Sequence, residues 1–453
     1  MNETIMKKPI KIGIVFSLCT ILLYFCGAYD YPKINQVELI LFLIFNNLAM
    51  YYGFTLGTRL KLRKIKDRYK RFPIEKVMNV FFWISLFIAI PKFIIPTGMY
   101  DFSISNILVN FLKFFTSPSE IYANRLHLAN ASGIWQYINY IVVLSGSIYW
   151  TYTCLAMLLW KRLKFYKKIG TLFIWGMYLL QYICTATNVG FFDFMLSFII
   201  IYKLRDYVKN ENNTEINLDG LHTEKKTGKK RNWGLIMTIV IIGILLFIFN
   251  SIMDNRIGTQ YTIGTYIGLW RCDITDSNFL WTLTPDAFKP LLAYLTRYLA
   301  ASYNALAMSF ELPYESTFGI GYSWFLLDNS GPFSQFLWDR TYNMRLNYSY
   351  GYDYYVNWHT MYLWFANDVS LLGVPVILFM LFMYFGMSWK SFILENNIYS
   401  FLTFMIFSKM MYFVSANNQV FQNADTLIAF WILVFLQIFY SKFRWGLNSE
   451  YKI

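Results

Sequence analysis

The residues of this chain best suited to chemistry gather in its C-terminal half. His359 stands in the run Asn357-Trp358-His359-Thr360-Met361-Tyr362-Leu363, and Asp368 and Leu371-Leu372-Gly373 follow it. Written as a pattern, this is H-x-x-Y-L-x-x-x-x-D-x-S-L-L-G. An imidazole has an ordinary pKa of about 6.5, so its neutral form accepts a proton near pH 7. It can take that proton from a hydroxyl as the hydroxyl oxygen forms its new bond. A carboxylate such as Asp368 is the usual partner that orients such a ring. Upstream, Arg297 lies in Tyr294-Leu295-Thr296-Arg297-Tyr298, and Arg256, Arg271, Arg340 and Arg345 complete the cationic set. A guanidinium fork matches the oxygens of a phosphate or pyrophosphate. Arg340 and Arg345 are interleaved with Tyr342, Tyr348, Tyr350, Tyr352, Tyr354 and Tyr355, whose faces suit stacking on sugar rings or anchoring at a membrane interface. Each residue also has a plainer reading. The histidine can bond to a backbone carbonyl, and the arginines can snorkel to lipid headgroups.

Other chemistries find less support. The five cysteines, Cys19, Cys26, Cys154, Cys184 and Cys272, form no C-x-x-C pair, and only Cys272 lies outside an apolar run. His127, His222 and His359 fall in three separate segments and make no H-E-x-x-H, so no metal or other cofactor is expected. Gly319 and Gly321 lack the strand-turn-helix context of a dinucleotide fingerprint and read as turn residues. The formal charge of +14 invites a nucleic-acid partner. The basic residues, however, sit in short segments beside apolar runs. Nine Lys/Arg lie between Arg59 and Lys76, five between Lys161 and Lys168, and a third block runs from Lys203 to Arg231. That is the positive-inside pattern of a membrane protein.

The elements that must position these residues are membrane helices. Of the 453 residues, 57% are apolar and 15% charged, against about half and about a quarter in soluble domains. The apolar excess falls in runs long enough to cross a bilayer, which takes about 20 residues. The expected fold is therefore an all-α polytopic membrane protein. Ten spans are expected, at 11–29, 36–57, 76–96, 134–160, 169–188, 189–204, 233–251, 369–390, 398–416 and 424–441, with Asn188-Val189-Gly190 marking the reversal between the fifth and sixth. Placing every basic block inside puts both termini in the cytoplasm. Residues 1–251 then hold seven spans, an outer segment 97–133 and a polar inner linker 205–231. Residues 252–368 form one large outer loop with six Lys/Arg and ten Asp/Glu, and 369–453 hold three spans and a tail. Asn106–Phe115 is apolar enough for an interfacial helix, and Leu291–Ser309 reads as an interfacial or re-entrant one.

The pattern at His359 closely resembles a signature of the O-antigen polymerase and O-antigen ligase superfamily, H-x-x-[YF]-L-x-x-x-x-E-x-G-L-L-G. Here Asp368 replaces the Glu and Ser370 replaces the first Gly. Arg297 followed by Thr317-Phe318-Gly319-Ile320-Gly321-Tyr322 resembles that family's arginine-bearing helix and G-x-G turn, and Arg340 to Gly351 matches an R-x10-G spacing. The family's T-G-S-R-G turn corresponds to Thr185–Gly190, where Asn188 stands in place of the arginine, and Arg256 is the candidate to supply that charge. The resemblance implies a bacterial inner-membrane glycosyltransferase. It would join repeat units carried on undecaprenyl pyrophosphate, as donor and acceptor, into an O-antigen or capsular polysaccharide. His359 would be the base and Asp368 its support. Arg297, Arg256, Arg340, Arg345 and Tyr362 would contact substrate, membrane lipids would surround the protein, and a chain-length regulator would be its partner. A ligase of the same superfamily, or a flippase for lipid-linked sugars, is the alternative. A flippase would carry charges near mid-membrane, and the expected spans hold few, Glu38 and Lys409 among them.

Overall fold

A computed structural model describes residues 6–60, 74–100, 102–121, 133–215, 233–257, 265–267, 270–354, 357–395 and 398–439. The inner linker beyond 215, most of the basic segment 59–76, His127, His222 and the C-terminal tail lie outside the described residues, as does the side chain of Arg256. The described chain is almost entirely helical. In order it forms α1 (Lys8–Cys26), α2 (Gln36–Arg59), α3 (Ile74–Thr97), α4 (Ile104–Thr116), α5 (Ile134–Leu158), α6 (Phe165–Cys184), α7 (Val189–Glu215) and α8 (Trp233–Ile257). A short antiparallel hairpin, β1 (Thr265–Ile267) and β2 (Trp270–Cys272), pairs Tyr266 with Arg271. There follow α9 (Phe279–Leu283), α10 (Lys289–Ala300), α11 (Ser302–Ser309), α12 (Trp324–Asp328), α13 (Ser334–Arg340), α14 (Tyr342–Tyr350), α15 (Met361–Glu395), α16 (Ile398–Phe413), α17 (Gln419–Gln422) and α18 (Ala424–Phe439).

Each of the ten apolar stretches expected to cross the membrane is a helix. Five of the helices, α1, α2, α3, α5 and α15, are long and apolar enough to span a bilayer, which makes this a multi-pass membrane protein. Much of their apolar surface faces outward: Val15, Phe45, Phe87, Leu144 and Leu372 are all more than half exposed, as side chains bathed in lipid should be. The reversal at Asn188 falls between α6 and α7, where Ala186 takes a left-handed conformation at φ +48°.

The chain packs as two compact units, 1–70 with 257–444 and 71–256 with 445–453. Packing thus divides the chain differently from hydropathy, which had separated it into three consecutive segments: α1 and α2 belong with the large polar segment and the last helices. The first unit is organised on α2 and α15, which run along each other. Their backbones touch because Gly53 and Gly57 of α2 face α15, and Gly386 of α15 faces α2. A Cβ on Gly57 would stand 2.0 Å from the Met383 carbonyl oxygen, and one on Gly386 2.2 Å from that of Phe54. Gly53-x-x-x-Gly57 is the small-residue spacing that lets membrane helices pack without a hydrophobic driving force. Beside it, Phe385 stacks on Phe407 of α16 at 5.0 Å and 11°. In the second unit α3 packs against α5 and α6, and α4 lies over α6. Phe114 of α4 stacks on Phe191 of α7, in a cluster with Ile121, Ala186 and Ile252.

The long helix α15 begins eight residues earlier than the expected span, at Met361, and is broken at Ser370 (φ +63°, ψ +166°). Met361–Val369 is thus a separate helical segment. The remainder, from Leu371, is still long enough to cross the bilayer. The polar segment before it is also more structured than an irregular loop, since Leu291–Ser309 resolves into the consecutive helices α10 and α11.

Candidate functional site

The first turn of α15 sets the position of His359. The Thr360 hydroxyl accepts the Leu363 N–H at 3.2 Å, capping the helix, and the Met361 N–H donates to the Val414 carbonyl at 3.1 Å. His359 therefore sits just before the helix, pinned to the end of α16. Its ring is buried, at 1% exposure, and lies edge-on to Tyr352 with centroids 4.9 Å apart. Neither Nδ1 nor Nε2 has a hydrogen-bond partner among the described residues. Burial without a partner penalises the charged imidazolium and pushes the pKa down to about 3, so the ring is neutral throughout the physiological range. Tyr352 itself is fully buried and directs its hydroxyl to the carbonyls of Ala301 and Trp358, each at 3.4 Å.

Arg297 belongs to the same neighbourhood. It is half-buried on α10, and its positive charge acts on both Tyr29 and Tyr352, opposing the upward shift that burial imposes on their hydroxyls. Tyr29, in the α1–α2 connection, is raised to about 12, chiefly by burial. That connection is tied to the polar segment by the Asp30 N–H donating to the Asp273 carbonyl at 3.0 Å and by a bridge between Tyr29 and Ile274. Cys272, at the end of the hairpin, completes this wall, and burial raises its thiol to about 12. On the next residues, Tyr298 packs edge-on to Trp358 at 5.7 Å. His359 thus packs against Tyr352, and the Arg297 charge acts on the same tyrosine.

Arg340 and Arg345 form a second group, organised by Glu315. The Arg340 Nε donates to the Ser316 carbonyl at 2.6 Å, its Nη1 lies 3.9 Å from Glu315, and its guanidinium lies over the rings of Phe318 and Phe336. The Arg345 Nη1 donates to the Pro313 carbonyl at 2.6 Å and approaches Glu315 at 3.4 Å, above the Tyr342 ring at 5.0 Å. Its Nε and Nη2 are buried without partners among the described residues. Burial, the largest effect on this guanidinium, lowers its pKa, while Glu315 opposes the shift.

The expected pairing of Asp368 with His359 is not what the structure contains. The Asp368 carboxylate faces the turn 317–322. Its Oδ1 accepts from Thr317 Oγ1 at 2.5 Å, Gly319 N at 3.0 Å and Gly321 N at 2.9 Å, and its Oδ2 accepts from Tyr322 N at 2.9 Å. Four donors occupy the carboxylate, which leaves it committed to holding a turn rather than a ring. The neighbouring Asn367, which the sequence reading passed over, completes the latch. Its Oδ1 accepts from Tyr342 N at 2.8 Å, and its Nδ2 donates to the Gly321 carbonyl and to Asn343 Oδ1, both at 2.9 Å. Gly321 is required here, because a Cβ would fall 2.0 Å from Thr317 Oγ1. The G-x-G turn and the Asn367-Asp368 pair are therefore two halves of one lock. The signal available in the sequence was the presence of both motifs; their contact was not deducible from spacing.

Tyr362 is fully buried on α15 and packs edge-on to Phe42 of α2 at 5.8 Å, between helices rather than at a surface. No family model, curated protein or solved structure matches this chain.

Proposed function

We propose that this chain is a bacterial inner-membrane glycosyltransferase that polymerises oligosaccharide repeat units carried on undecaprenyl pyrophosphate. In this reading ten helices cross the membrane, both termini are cytoplasmic, and the polar segment before α15 works at the non-cytosolic face. The observation that carries the proposal is the neutral His359 imidazole, buried beside Tyr352 with two nitrogens that have no partner among the described residues, and with the Arg297 charge acting on the same Tyr352. Buried polar groups are rarely left unpaired. A neutral ring with a free lone pair is also the form a proton acceptor needs.

The chemistry is a displacement at the anomeric carbon of the donor. An acceptor hydroxyl oxygen attacks that carbon, and its bond to the pyrophosphate oxygen breaks. The electron pair leaves with undecaprenyl pyrophosphate, and the hydroxyl proton passes to His359. Arg297 stabilises the charge that builds on the departing pyrophosphate, as a preorganised cation does in a low-dielectric site. Arg340 and Arg345, already engaged by Glu315, hold the rim formed by α13 and α14. Asp368 and Asn367 act as positioning residues that fix the turn above the broken helix. Arg256 lies in the other unit, at the end of α8.

The test is complementation of a strain deleted for this gene. His359→Ala and Arg297→Ala should leave the chain in the membrane at normal abundance while long polymer disappears and single repeat units remain on the surface glycan. Unchanged polymer length and yield with His359→Ala refutes the base assignment. A deletion that leaves bare lipid acceptor instead of single repeats assigns the chain to the ligase branch.

A further inference from the structure

The short helix α9 turns the wrong residues outward for a segment bathed in water. Phe279 and Leu283 stand four apart, on one face of it, and Phe288 closes the turn into α10. They are 63%, 65% and 60% exposed. Trp281, on the other face, is buried, and its indole N–H donates to Asp276 at 3.3 Å. Lys289 folds the start of α10 back onto α9, since its Nζ lies 5.3 Å from the Trp281 ring and 2.7 Å from Asp286. Phe279, Leu283 and Phe288 are thereby carried on one small elbow. A lone exposed apolar side chain is ordinary on a protein surface, whereas a fixed group of three calls for a partner.

The elbow sits at the height where a membrane-spanning helix ends. α9 and α10 both pack on α1. Just past the end of α1, the Asn278 Nδ2 donates to the Tyr29 carbonyl and the Ala28 N–H donates to Thr296 Oγ1, both at 3.3 Å. The approach is close, because a Cβ on Gly27 would stand 2.6 Å from that Thr296 oxygen. The last turns of α1 expose Leu22 and Phe25, the end of a lipid-facing stripe that includes Ile12 and Val15. The elbow thus adjoins an interface already committed to lipid. We propose that α9 and the start of α10 form an interfacial anchor, with Phe279, Leu283 and Phe288 sunk into the headgroup–acyl boundary of the bilayer on the side where α1 ends. Apolar side chains beside a lysine suit that boundary: the rings and the leucine enter it, and the Lys289 ammonium, paired with Asp286, stays among the headgroups. Arg297 lies nine residues along from Phe288. At a rise of 1.5 Å per residue that is about 13 Å of helix, so the anchor sets the height of Arg297 relative to the lipid surface. The inference rests on α1 crossing the membrane and is independent of the assignment of His359.

The test is collision accessibility by electron paramagnetic resonance. The full chain, in phospholipid nanodiscs, would carry one nitroxide at a time at Phe279→Cys, Leu283→Cys or Phe288→Cys. The background is Cys19→Ser with Cys26→Ser, because the other three cysteines are buried. Each label should collide severalfold more often with oxygen, which concentrates in the acyl region, than with a nickel chelate, which stays in water. A label at Ser349→Cys, exposed on the polar helix α14, should show the reverse order. Adding Leu283→Asp should move the Phe288→Cys label toward the nickel pattern, since one anchor carries both positions. Nickel-dominated collisions at the three elbow positions place the elbow in water and overturn the proposal. Labels shielded from both reagents also overturn it, because protein then covers the patch, and dipolar broadening between labelled chains would identify that cover as a second copy. Where one variant fails to accumulate, the two remaining positions decide.

Discussion

Asp368→Asn separates a structural carboxylate from a catalytic one. In the native chain one carboxylate accepts four hydrogen bonds, three at Oδ1 and one at Oδ2, all from residues 317–322. The amide keeps one oxygen and replaces the other with a donor. If the amide oxygen takes the place of Oδ1, the Tyr322 N–H faces an NH₂ group and loses its acceptor, while the other three bonds lose their charge assistance. A hydrogen bond to a charged group contributes about 1.5–3 kcal/mol and a neutral one about 1 kcal/mol. One lost bond and three weakened ones give a destabilisation on the order of 3–9 kcal/mol before relaxation. Partial solvent access at Asp368 and Gly319 reduces this to about 2–4 kcal/mol. The assay is thermal unfolding of the purified chain in detergent, followed by tryptophan fluorescence, because Trp324 and Trp364 pack around this turn. Asp368→Asn should lower the transition by several degrees, and Asn367→Ala should lower it comparably. If the proposed polymerase function holds, polymer synthesis should fall in step with the folded fraction. An unchanged transition accompanied by lost activity would show that Asp368 acts on the chemistry, and the latch argument would be wrong.

Ser370→Gly should raise the unfolding temperature, because φ +63° with ψ +166° is a glycine conformation that costs a side-chain-bearing residue about 1–3 kcal/mol; an unchanged or lowered midpoint argues against strain at the break. Gly57→Leu forces a side chain into the Met383 carbonyl and should cost on the order of 3 kcal/mol or more, with the chain failing to accumulate in the membrane; normal abundance in an immunoblot of membranes contradicts the close packing of α2 and α15. Folding should depend on His359 ionisation with a definite sign. Its folded pKa, about 3, lies below the unfolded value of about 6.5, so the unfolded chain binds the extra proton first. Stability is therefore complete above pH 6.5 and falls by up to about 1.4 kcal/mol per unit as the pH drops toward 3. His359→Gln should flatten that acid limb, and an identical pH profile in the two proteins refutes the burial of a neutral ring.

Much of the helical layout could be read in the sequence because apolar run length is a strong signal in lipid: the ten apolar stretches are ten helices, and the reversal at Asn188 and the helix over Asn106–Phe115 both form. Run length could not show where α15 starts. Met361–Val369 is apolar apart from Asn367 and Asp368, and its role is set by contacts with residues 317–322 and with Val414 that no local pattern encodes. The division into packed units was hidden for the same reason, since Gly53, Gly57 and Gly386 declare themselves only when α2 and α15 meet. At the site, residue types were informative and pairings were not. His359 and Arg297 do share a neighbourhood, but through Tyr352 and Tyr29. Asp368 and the glycine turn, read as separate motifs, are joined to each other.

Ser370 stands at a break whose backbone conformation suits glycine. A helix that must begin at Met361, fix Thr317–Tyr322 with Asn367 and Asp368, and then cross the bilayer from Leu371 has to change direction between the two tasks. The change is made in one residue, in a conformation that glycine adopts freely and serine does not. The break lets Met361–Val369 be oriented by the polar segment and Leu371–Glu395 by α2, so the position of His359 depends on the first orientation and the membrane crossing on the second. The same geometry bears on the proposed role of His359. On the proposed reading, an acceptor hydroxyl would reach the buried His359 ring only when its neighbour Tyr352 moves aside. Tyr352 hangs on two 3.4 Å hydrogen bonds, and Trp358 directly precedes the histidine. Opening there would rehydrate the imidazole and raise its pKa from about 3 back toward 6.5, which under the proposed function would strengthen the base as the substrate arrives. Tyr352→Ala, which removes the covering ring, should therefore restore acid titration of His359 near pH 6 by NMR of the labelled imidazole. A ring that stays neutral down to pH 4 in that variant would mean that Tyr352 is not the cover.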